Sequence, residues 1–456
     1  MIHRNSIVNI LTKESEKLWR VPMNKTEFSR IHKKMKQAFD EETINGFGYT
    51  TGFLKRKRKV TPFSLASTLI CLLATQKVES LADLQRGFVA LTGEDIEYKP
   101  FHNQLAKESF PELMHFLLCH LLDRLVLRVL EPIPSSPLQR FTDILLQDGS
   151  SLAVNDKLHE EYPGRFTTIS PAAVELHATM SLYEDQAIQI SLAPDINGER
   201  DFLPEANSLD QKLILTDRGY QDLDYCNEVE EAGGAFVSRC KRNLNPTIVV
   251  AYVDGKRRRG LEGKKLKNVR AKLKGKNADL IVQWPRYGDE FEPRLLFIWN
   301  PVLKRHMFLL TNLEAKEFSL HLVRKLYSLR WQVELLFKEW KSYANVHRFQ
   351  TGKAGIVEGL LWASLAASLV KRFLSHATSI VFGGIETSTR RTAMILTDHL
   401  RDLFRRIVQG KQFRSVFREL FNFLEKYARR AHPKRDKKIG RLSSGLQHVS
   451  GEVAHG

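Results

Sequence analysis

The chain has 456 residues, 43% of them hydrophobic and 27% charged, which allows several domains with cores of their own. Its 70 Lys and Arg outnumber 52 Asp and Glu, and the formal net charge of +18 predicts a polyanionic partner. A membrane is not the expected partner, because the apolar run from Gly359 to Val370 is too short to span a bilayer and the N-terminus lacks a signal peptide's apolar core. The four cysteines show neither CxxC nor zinc spacing, so we expect reduced thiols in a cytoplasmic, nucleoid-associated protein.

The N-terminal third of the chain favours helices, and the Pro/Ser-rich stretch at 131–137 predicts a domain boundary. A helix is expected to start at Thr61-Pro62, just after the basic run Lys55 to Lys59. Two interpretations remain open for residues 61–88: a helix-turn-helix that recognises DNA, or an ordinary helical bundle.

After this boundary the pattern changes to strands that alternate with helices, which predicts an α/β core. Two apolar, strand-like runs end in acids, Asp148 and Asp217. A carboxylate at the carboxyl end of a buried strand is held rigidly and still reaches solvent, as metal ligands and catalytic acids must be. Taken alone, either aspartate is more often a turn or cap residue.

Residues 243–312 are again rich in strand patterns, and residues 256–276 within them carry 11 Lys and Arg against one acid, Glu262. The basic segment is either a mobile solvated loop or an arm that contacts phosphates. The net charge of the chain favours the arm.

Residues 315–343 predict one helix with a buried apolar stripe and a polar face beside it. Four residues of the polar face lie within roughly 60° of one another at about 100° of rotation per residue. They are Tyr327, Arg330, Glu334 and Lys341. This face suits metal and phosphate chemistry, although a solvated face held by ion pairs has the same pattern.

A further apolar helix is predicted at 355–375, and amphipathic helices at about 395–430 are followed by a basic tail. The C-terminal helices are candidates for a dimer contact, but no clean heptad supports it.

Asp148, Asp217 and Glu334 offer hard oxygen ligands without His or Cys nearby in the sequence. Such a set suits Mg²⁺ or Mn²⁺ rather than zinc, and two ions about 3.5–4 Å apart can activate a water or a 3′-hydroxyl at a phosphodiester. Arg330 and Lys341 would hold the flanking phosphates. Tyr327 would stack or donate to a phosphate.

With these residues the chain resembles the bacterial insertion-sequence transposases of the DDE superfamily, in insertion-sequence family four with its Tyr-Arg-Glu-Lys signature. The signature Tyr-x2-Arg-x3-Glu-x6-Lys begins at Tyr327 without a spacing error. The first acid lies in Q-D-G-S at 147–150 and the second in D-R-G-Y at 217–220, contexts similar to those of the family. The resemblance covers roughly 140–375.

The resemblance implies an α/β fold with a ribonuclease-H-like mixed-sheet catalytic core, interrupted by a β-rich insertion and flanked by helical N- and C-terminal regions. The expected domains are a helical DNA-binding region at 1–135, the first part of the core at 136–242, the basic insertion at 243–312, the last part of the core at 313–375, and a helical region with a basic tail at 376–456.

It also implies cut-and-paste transposition: one site nicks the element end, forms a hairpin, reopens it and joins the 3′-end to target DNA. Two metal ions would be held by Asp148, Asp217 and Glu334. The partners would be double-stranded terminal inverted repeats and target DNA, bound by a homodimer in the synaptic complex. The expected DNA contacts are Tyr327, Arg330, Lys341, Arg218, Tyr220, Arg239, Lys241 and Arg242.

Hairpin-forming relatives place a tryptophan just before an LLLT-like strand of the insertion, where it stacks on a flipped base. This chain has HMFLLT at 306–311 instead. Phe308 or Trp299 either takes that role or belongs to the core.

Two other functions fit parts of the sequence. A non-cleaving DNA-binding repressor derived from a transposase would keep the basic charge, although all three acids are present. A Mg²⁺-dependent restriction-type endonuclease would use Glu339 and Lys341 as an E-x-K triplet, although such triplets usually lie on a strand.

Overall fold

The computed structural model describes residues 21–56, 59–75, 78–132, 134, 136–343 and 351–431. Its helices are α1 (Lys25–Ala38), α2 (Glu41–Thr50), α3 (Pro62–Thr75), α4 (Leu81–Thr92), α5 (Tyr98–Leu105), α6 (Phe110–Arg124), α7 (Leu223–Glu231), α8 (Leu266–Val269), α9 (Leu320–Ser328), α10 (Trp331–Tyr343), α11 (Ala354–Val381), α12 (Thr389–Ile395), α13 (Thr397–Val408) and α14 (Arg414–Tyr427). Its strands are β1 (Asp143–Ala153), β2 (Pro163–Phe166), β3 (Ser170–Ser181), β4 (Gln186–Pro194), β5 (Lys212–Thr216), β6 (Ala235–Arg239), β7 (Thr247–Val253), β8 (Lys256–Arg257), β9 (Ala278–Gln283), β10 (Arg294–Asn300) and β11 (Arg305–Thr311).

The strands form one mixed sheet in the order β2-β3-β1-β5-β6-β11-β10-β9-β7-β8, and β4 also pairs with β3. Neighbours β1, β5 and β6 are parallel, whereas β3 and β11 pair antiparallel to this parallel centre on either side. The predicted mixed α/β fold with helical regions at both ends is confirmed. Its ribonuclease-H-like character stays a prediction.

The β-rich segment at 243–312 continues the core sheet. Its last strand, β11, pairs with β6 from Leu309 opposite Arg239 to Thr311 opposite Val237. A second hydrophobic cluster lies under this half of the sheet and includes Ile248, Phe291 and Leu310. The segment is therefore joined by strand pairing to the half of the sheet that contains the parallel strands β1, β5 and β6.

Polar caps define where several N-terminal helices begin. The Asn24 side chain accepts from two backbone N–H groups at the start of α1, and Asp40 accepts from Thr43 at the start of α2. Ser80 and Asp83 form a reciprocal capping box at α4. That helix ends at Gly93, whose φ of 78° is the left-handed conformation that glycine adopts without strain.

The N-terminal and C-terminal helices share one core around α11. This helix packs against α3 and α6 from the N-terminal region and against α12 and α14 from the C-terminal region, while α3 also contacts α13. Every residue of α3 except Ser64 is buried. Since α3 offers no open face to DNA, its packing is that of a helical bundle. Lys57 and Arg58 of the preceding basic run lie outside the described residues, as does the tail from 432 onward.

Helix α11 is longer than the apolar run in the sequence suggests. It has 28 residues, and by length and composition it could cross a membrane, but 83% of its apolar window is buried inside the protein. The sequence argument that this segment is too short to span a bilayer was therefore wrong, because the helix is long enough. The burial against other helices is typical of a core helix.

The predicted helix at 315–343 is broken. Helix α9 ends at Ser328 and α10 begins at Trp331. At the junction the N–H of Arg330 donates to the carbonyl of Tyr327 at 3.1 Å, and the N–H of Val333 donates to that of Arg330 at 3.2 Å. These bonds span three residues instead of four, so the chain tightens into a 3₁₀ turn. The single polar helix face was thus a wrong prediction: Tyr327 lies on α9, Arg330 lies in the junction, and Glu334 and Lys341 lie on α10.

Asp148 is also placed differently from the prediction. Strand β1 continues past it to Ala153, because β1 stays paired with β3 from Leu145 opposite Ser181 to Ala153 opposite Ala173. Asp148 therefore lies within a strand. Asp217 directly follows β5, as predicted.

Candidate active site

The parallel pairing of β1 and β5 brings the first two acids together. Their ladder ends with Gln147 opposite Thr216, and Asp148 and Asp217 are the next residues on the two strands. Both side chains therefore lie where the two strands separate, which is the usual location of a site in a parallel sheet.

Arg330, in the junction between α9 and α10, connects this edge to the third acid. Its Nη1 donates to Oδ2 of Asp148 at 2.5 Å, and its Nη2 donates to Oε1 of Glu334 at 2.7 Å. Glu334 lies in the first turn of α10, where the helix dipole favours a negative charge. The turn that breaks the predicted helix thus places one guanidinium between two of the three acids.

Asp217 has its own partners. Its Oδ1 accepts from the hydroxyl of Tyr327 at 2.9 Å and from Nη1 of Arg239 at 3.2 Å. Arg239 is the last residue of β6, the next parallel strand. Three neighbouring strands and both helices of the junction therefore contribute to one cluster.

The two aspartates differ in proton affinity. Burial raises the pKa of Asp148 to about 6 in spite of Arg330. Burial acts on Asp217 in the same direction, but the backbone N–H of Arg218 and the charge of Arg330 outweigh it and lower the pKa of Asp217. Asp148 therefore binds a proton more readily than Asp217, because burial disfavours its charged form.

The donor set fits a divalent cation chemically. Asp148, Asp217 and Glu334 offer only carboxylate oxygens, and their side chains stay 17%, 32% and 33% exposed. In the present arrangement Arg330 is hydrogen-bonded to two of these carboxylates, Asp148 and Glu334. The described residues contain no trio of His, Cys, Asp or Glu placed to hold a metal ion. A cation at these carboxylates would compete with the guanidinium for Oδ2 of Asp148 and Oε1 of Glu334.

The other predicted contact residues divide into two groups. Arg218, Lys241 and Arg242 are exposed, Arg239 is half-buried and bonded to Asp217, and Lys341 is half-buried in the last turn of α10. In contrast, Tyr220 is 2% and Tyr327 is 8% exposed. The hydroxyls of both tyrosines bond within the protein, so this conformation gives them structural partners in place of DNA.

The basic segment at 256–276 is folded. It forms β8, α8 and short 3₁₀ turns whose apolar residues Leu261, Leu266, Val269 and Leu273 are buried in the second core cluster. The exposed cations along it are Lys256, Arg257, Arg258, Arg259, Lys264, Lys267, Lys272, Lys274 and Lys276. The segment is thus an anchored basic surface, which differs from the mobile loop that was one interpretation.

The two aromatic candidates of the insertion differ in exposure. Phe308 is buried in the second core cluster, in edge contact with Phe297. Trp299 is half-buried and packs on His306 with ring centroids 4.9 Å apart. The core interpretation therefore describes Phe308 in this conformation.

Glu339 does not face the site. Its Oε2 accepts from Nη1 of Arg372 at 2.8 Å, and Nη2 of Arg372 donates to Asp185 at 2.7 Å. The three side chains are between 5% and 8% exposed. An E-x-K site built on Glu339 would need this buried carboxylate to reach DNA, which the packing opposes.

A polar cluster near the site was missed in the sequence. Glu175 and His177 of β3 are buried, and His177 bonds to Tyr220 of the second motif at 2.8 Å. Burial raises the pKa of Glu175 to about 7 in spite of Arg165. The signal was the alternation of Glu175, His177 and Thr179 with apolar residues, which predicts a polar face within an otherwise buried strand.

Comparisons with known proteins identify the family of this chain. The family model described as "Transposase DDE domain" matches residues 139–370. The transposase for insertion sequence element IS231E of Bacillus thuringiensis subsp. finitimus is 24% identical and covers 83% of this chain and 87% of its own length. The transposase for IS1151 of Clostridium perfringens is 21% identical and covers 76% and 80%.

Among solved structures, the chain is similar to a chain of the piggyBac transposase synaptic complex with hairpin DNA. The match has a TM-score of 0.47 and 12% identity, and it covers 90% of this chain and 89% of the other. A similarity at this level carries no functional conclusion.

Proposed function

This chain belongs to the transposase DDE domain family, and from that premise we propose that it moves its own insertion sequence by cut-and-paste transposition. Membership makes it a DNA-cleaving and strand-transferring enzyme. The observation that carries the rest is the convergence of Asp148, Asp217 and Glu334 around Arg330 at one sheet edge. The spacing of Tyr327, Arg330, Glu334 and Lys341 supports assignment to insertion-sequence family four.

Asp148, Asp217 and Glu334 are the proposed ligands of two Mg²⁺ or Mn²⁺ ions. Bound there, the ions would supply a Lewis acid and a deprotonated nucleophile for attack on a phosphodiester. The chain's own contribution is to hold three carboxylates from β1, β5 and α10 at one point. It also favours the ionised form of Asp217 through the backbone N–H of Arg218, the charge of Arg330, and the contacts from Tyr327 and Arg239.

Arg330 has two successive roles in this proposal. Without metal it neutralises Asp148 and Glu334 and keeps them in place. With cations held by these carboxylates, the guanidinium would be free to bind a phosphate of the DNA with two parallel N–H donors.

The DNA path follows the exposed cations. Arg218, Lys241 and Arg242 surround the carboxyl ends of β5 and β6, and Lys341 lies further along α10. The anchored basic surface at 256–276 extends this path across the insertion. Tyr220 and Tyr327 support the acids in this scheme, since both are buried.

The proposed reaction has the order nick, hairpin, hairpin opening and strand transfer to target DNA. Each step is attack by a water or a 3′-hydroxyl on one phosphodiester, with loss of the 3′-oxygen leaving group. Trp299 is the more accessible of the two aromatic candidates for stacking on a flipped base. Two element ends would be paired by a homodimer, acting on DNA in the nucleoid.

The first test is strand cleavage on labelled DNA that carries the element's own ends, resolved on a denaturing gel. We expect Mg²⁺-dependent nicks at the element boundary with wild type and none with Asp148→Ala or Asp217→Ala. A slowly migrating hairpin product would support the hairpin route. Cleavage by either variant at the wild-type rate would remove that aspartate from the site.

End binding by these variants is the matched control. Both should bind the element end like wild type, and affinity should fall by roughly 10³–10⁵ between 50 and 200 mM salt if six to ten phosphates are contacted. Tight end binding by wild type without cleavage in any metal would favour a repressor instead.

A further inference from the structure

A buried polar cluster lies behind the first acid. Successive side chains of a strand point to opposite faces, so Gly149 faces away from the side of the sheet that Asp148 occupies. On β3 the residue opposite Gly149 is His177. The cluster of His177, Tyr220 and Glu175 therefore lies directly behind the backbone that carries Asp148.

His177 is held tightly in this cluster. Its Nδ1 lies 2.8 Å from the hydroxyl of Tyr220, and its ring stacks on Phe202 with centroids 3.9 Å apart and planes 8° from parallel. Burial, with a smaller effect from Arg165, lowers the pKa of His177 to about 4. The imidazole is therefore neutral near pH 7, and it shares one hydrogen bond with the phenol.

The other ring nitrogen of His177, Nε2, lowers the stability of the folded state in this arrangement. Among the described residues Nε2 of His177 has no hydrogen-bond partner, and the nearest carboxylate oxygen, on Glu175, is 3.8 Å away. A buried unpaired polar atom costs about 1–3 kcal/mol. Since His177 is present in spite of this loss of stability, we attribute its role to the hydrogen bond between its Nδ1 and the hydroxyl of Tyr220.

Gly149 leaves the space that Tyr220 occupies. A Cβ at position 149 would lie 3.0 Å from the Tyr220 hydroxyl, 2.7 Å from Oε1 of Glu175 and 3.2 Å from Nδ1 of His177. The glycine after the first acid therefore leaves the room that the hydroxyl of the tyrosine three residues after the second acid needs. The two sequence motifs interlock behind the sheet edge.

Tyr220 connects this contact to the second acid. It ends the 3₁₀ turn Arg218–Tyr220, and its N–H donates to the carbonyl of Asp217 at 3.1 Å. A continuous path thus runs from Asp148 through Gly149, His177 and Tyr220 to Asp217. The path is separate from the front connection that Arg330 makes.

We propose that His177 and Tyr220 are positioning residues that set the separation of the Asp148 and Asp217 carboxylates, and thereby the affinity of the site for divalent ions. This inference rests on the proposed function, since it assigns a role around the proposed metal ligands. Neither residue touches DNA in this scheme. Outer partners of metal ligands commonly change metal affinity or activity by about 10–100-fold when they are lost.

The test compares Tyr220→Phe with Tyr225→Phe. The matched control Tyr225 lies on α7, five residues after Tyr220, and its hydroxyl donates to the carbonyl of Pro204 at 2.8 Å instead of to the cluster behind Asp148. Each variant loses one hydroxyl and one hydrogen bond, so both should lose about 1 kcal/mol of stability. Two quantities are measured: Mn²⁺ affinity, from the electron paramagnetic resonance signal of the free ion, and the Mg²⁺ concentration for half-maximal end cleavage.

We expect Tyr220→Phe to weaken Mn²⁺ binding and to raise the Mg²⁺ requirement, each by about 10-fold or more. Tyr225→Phe should change both by less than about twofold. Equal shifts in the two variants, or no shift with Tyr220→Phe, would overturn the positioning role. Wild type that binds Mn²⁺ but never cleaves end DNA would refute transposition, while a Tyr220-specific loss of Mn²⁺ affinity would still support positioning. Wild type that binds no Mn²⁺ would overturn both.

A double variant checks that the two side chains act through one bond. If they do, His177→Gln combined with Tyr220→Phe should weaken Mn²⁺ binding no more than the stronger single variant. Additive losses in Mn²⁺ affinity would show that His177 acts independently of Tyr220, which contradicts the proposed path.

Discussion

Two clusters of one arginine and two carboxylates lie at opposite sides of α10. In the first, Arg330 joins Asp148 and Glu334 at the sheet edge, and Glu334 is 33% exposed. In the second, Arg372 joins Asp185 and Glu339 inside the helical body, and no member exceeds 8% exposure. Two clusters with the same kinds of side chain thus differ in their exposure to solvent. The first cluster is open to solvent at Glu334, so in the proposed function it can exchange its cation, whereas the second is sealed and holds structural elements together.

The largest expected difference is between the two glutamates of α10. Glu334→Gln should reduce end cleavage by about 10³-fold or more, because a proposed metal ligand is lost, and should leave stability almost unchanged. Glu339→Gln should cost about 1–3 kcal/mol of stability and spare the activity of the folded fraction. Denaturant unfolding and cleavage assays on both variants measure this. Equal activity losses would show that the two clusters are not functionally distinct.

Removing the sealed cation tests the second cluster directly. Arg372→Met should destabilise the protein by about 3–5 kcal/mol, because the buried carboxylates of Asp185 and Glu339 would lose the cation that they share. The control Arg140→Met breaks the exposed pair with Glu317, 3.0 Å long, and should cost at most about 1 kcal/mol. Urea unfolding at fixed pH compares them. A small effect of Arg372→Met would mean that water reaches the cluster.

Removing the cation of the open cluster should give a metal-dependent result. In Arg330→Met the carboxylates lose their competitor, so saturating Mg²⁺ should raise the free energy of unfolding by about 1–3 kcal/mol, more than in wild type. Arg372→Met should show no such extra response. Thermal unfolding with Mg²⁺ or with a chelator measures both. An unresponsive Arg330→Met would argue against metal binding at these acids.

A third carboxylate, Glu175, should have a smaller effect on stability than the two arginine clusters. Glu175 pairs at 3.3 Å with Arg165, whose side chain is 44% exposed, and its pKa is raised to about 7. The folded state therefore keeps a proton between about pH 4.5 and 7 that the unfolded chain has lost, so this group's stabilisation disappears as pH rises through that window. Glu175→Gln should flatten that pH dependence. Parallel stability profiles of variant and wild type would contradict the raised pKa.

The sequence predicted those parts of the site that follow local rules. Asp217 ends an apolar strand, and the structure places it there. Asp148 was misplaced relative to its strand, since the extension of β1 depends on pairing with β3, which local sequence does not reveal. The break at Leu329 and Arg330 contains neither Gly nor Pro, so no ordinary helix breaker announced it.

Tertiary packing explains the remaining differences. Glu334 and Glu339 lie in one motif, and only the neighbours that fold against α10 make one open and the other sealed. Lys371 and Arg372 interrupt a long apolar helix, and that interruption was the available signal for a buried ion cluster. The pairing of β11 with β6 could not be predicted, because neither strand's sequence indicates its partner.

The shared core of the N-terminal and C-terminal helices has a consequence for synthesis. Helix α3 is buried along nearly its whole length, and its main partner α11 begins about 280 residues later. At about 5–20 residues per second, a ribosome needs roughly 14–56 s to make that interval. During this time an apolar helix is without its partner, so nascent chains cut short before residue 354 should depend on chaperones or associate with one another.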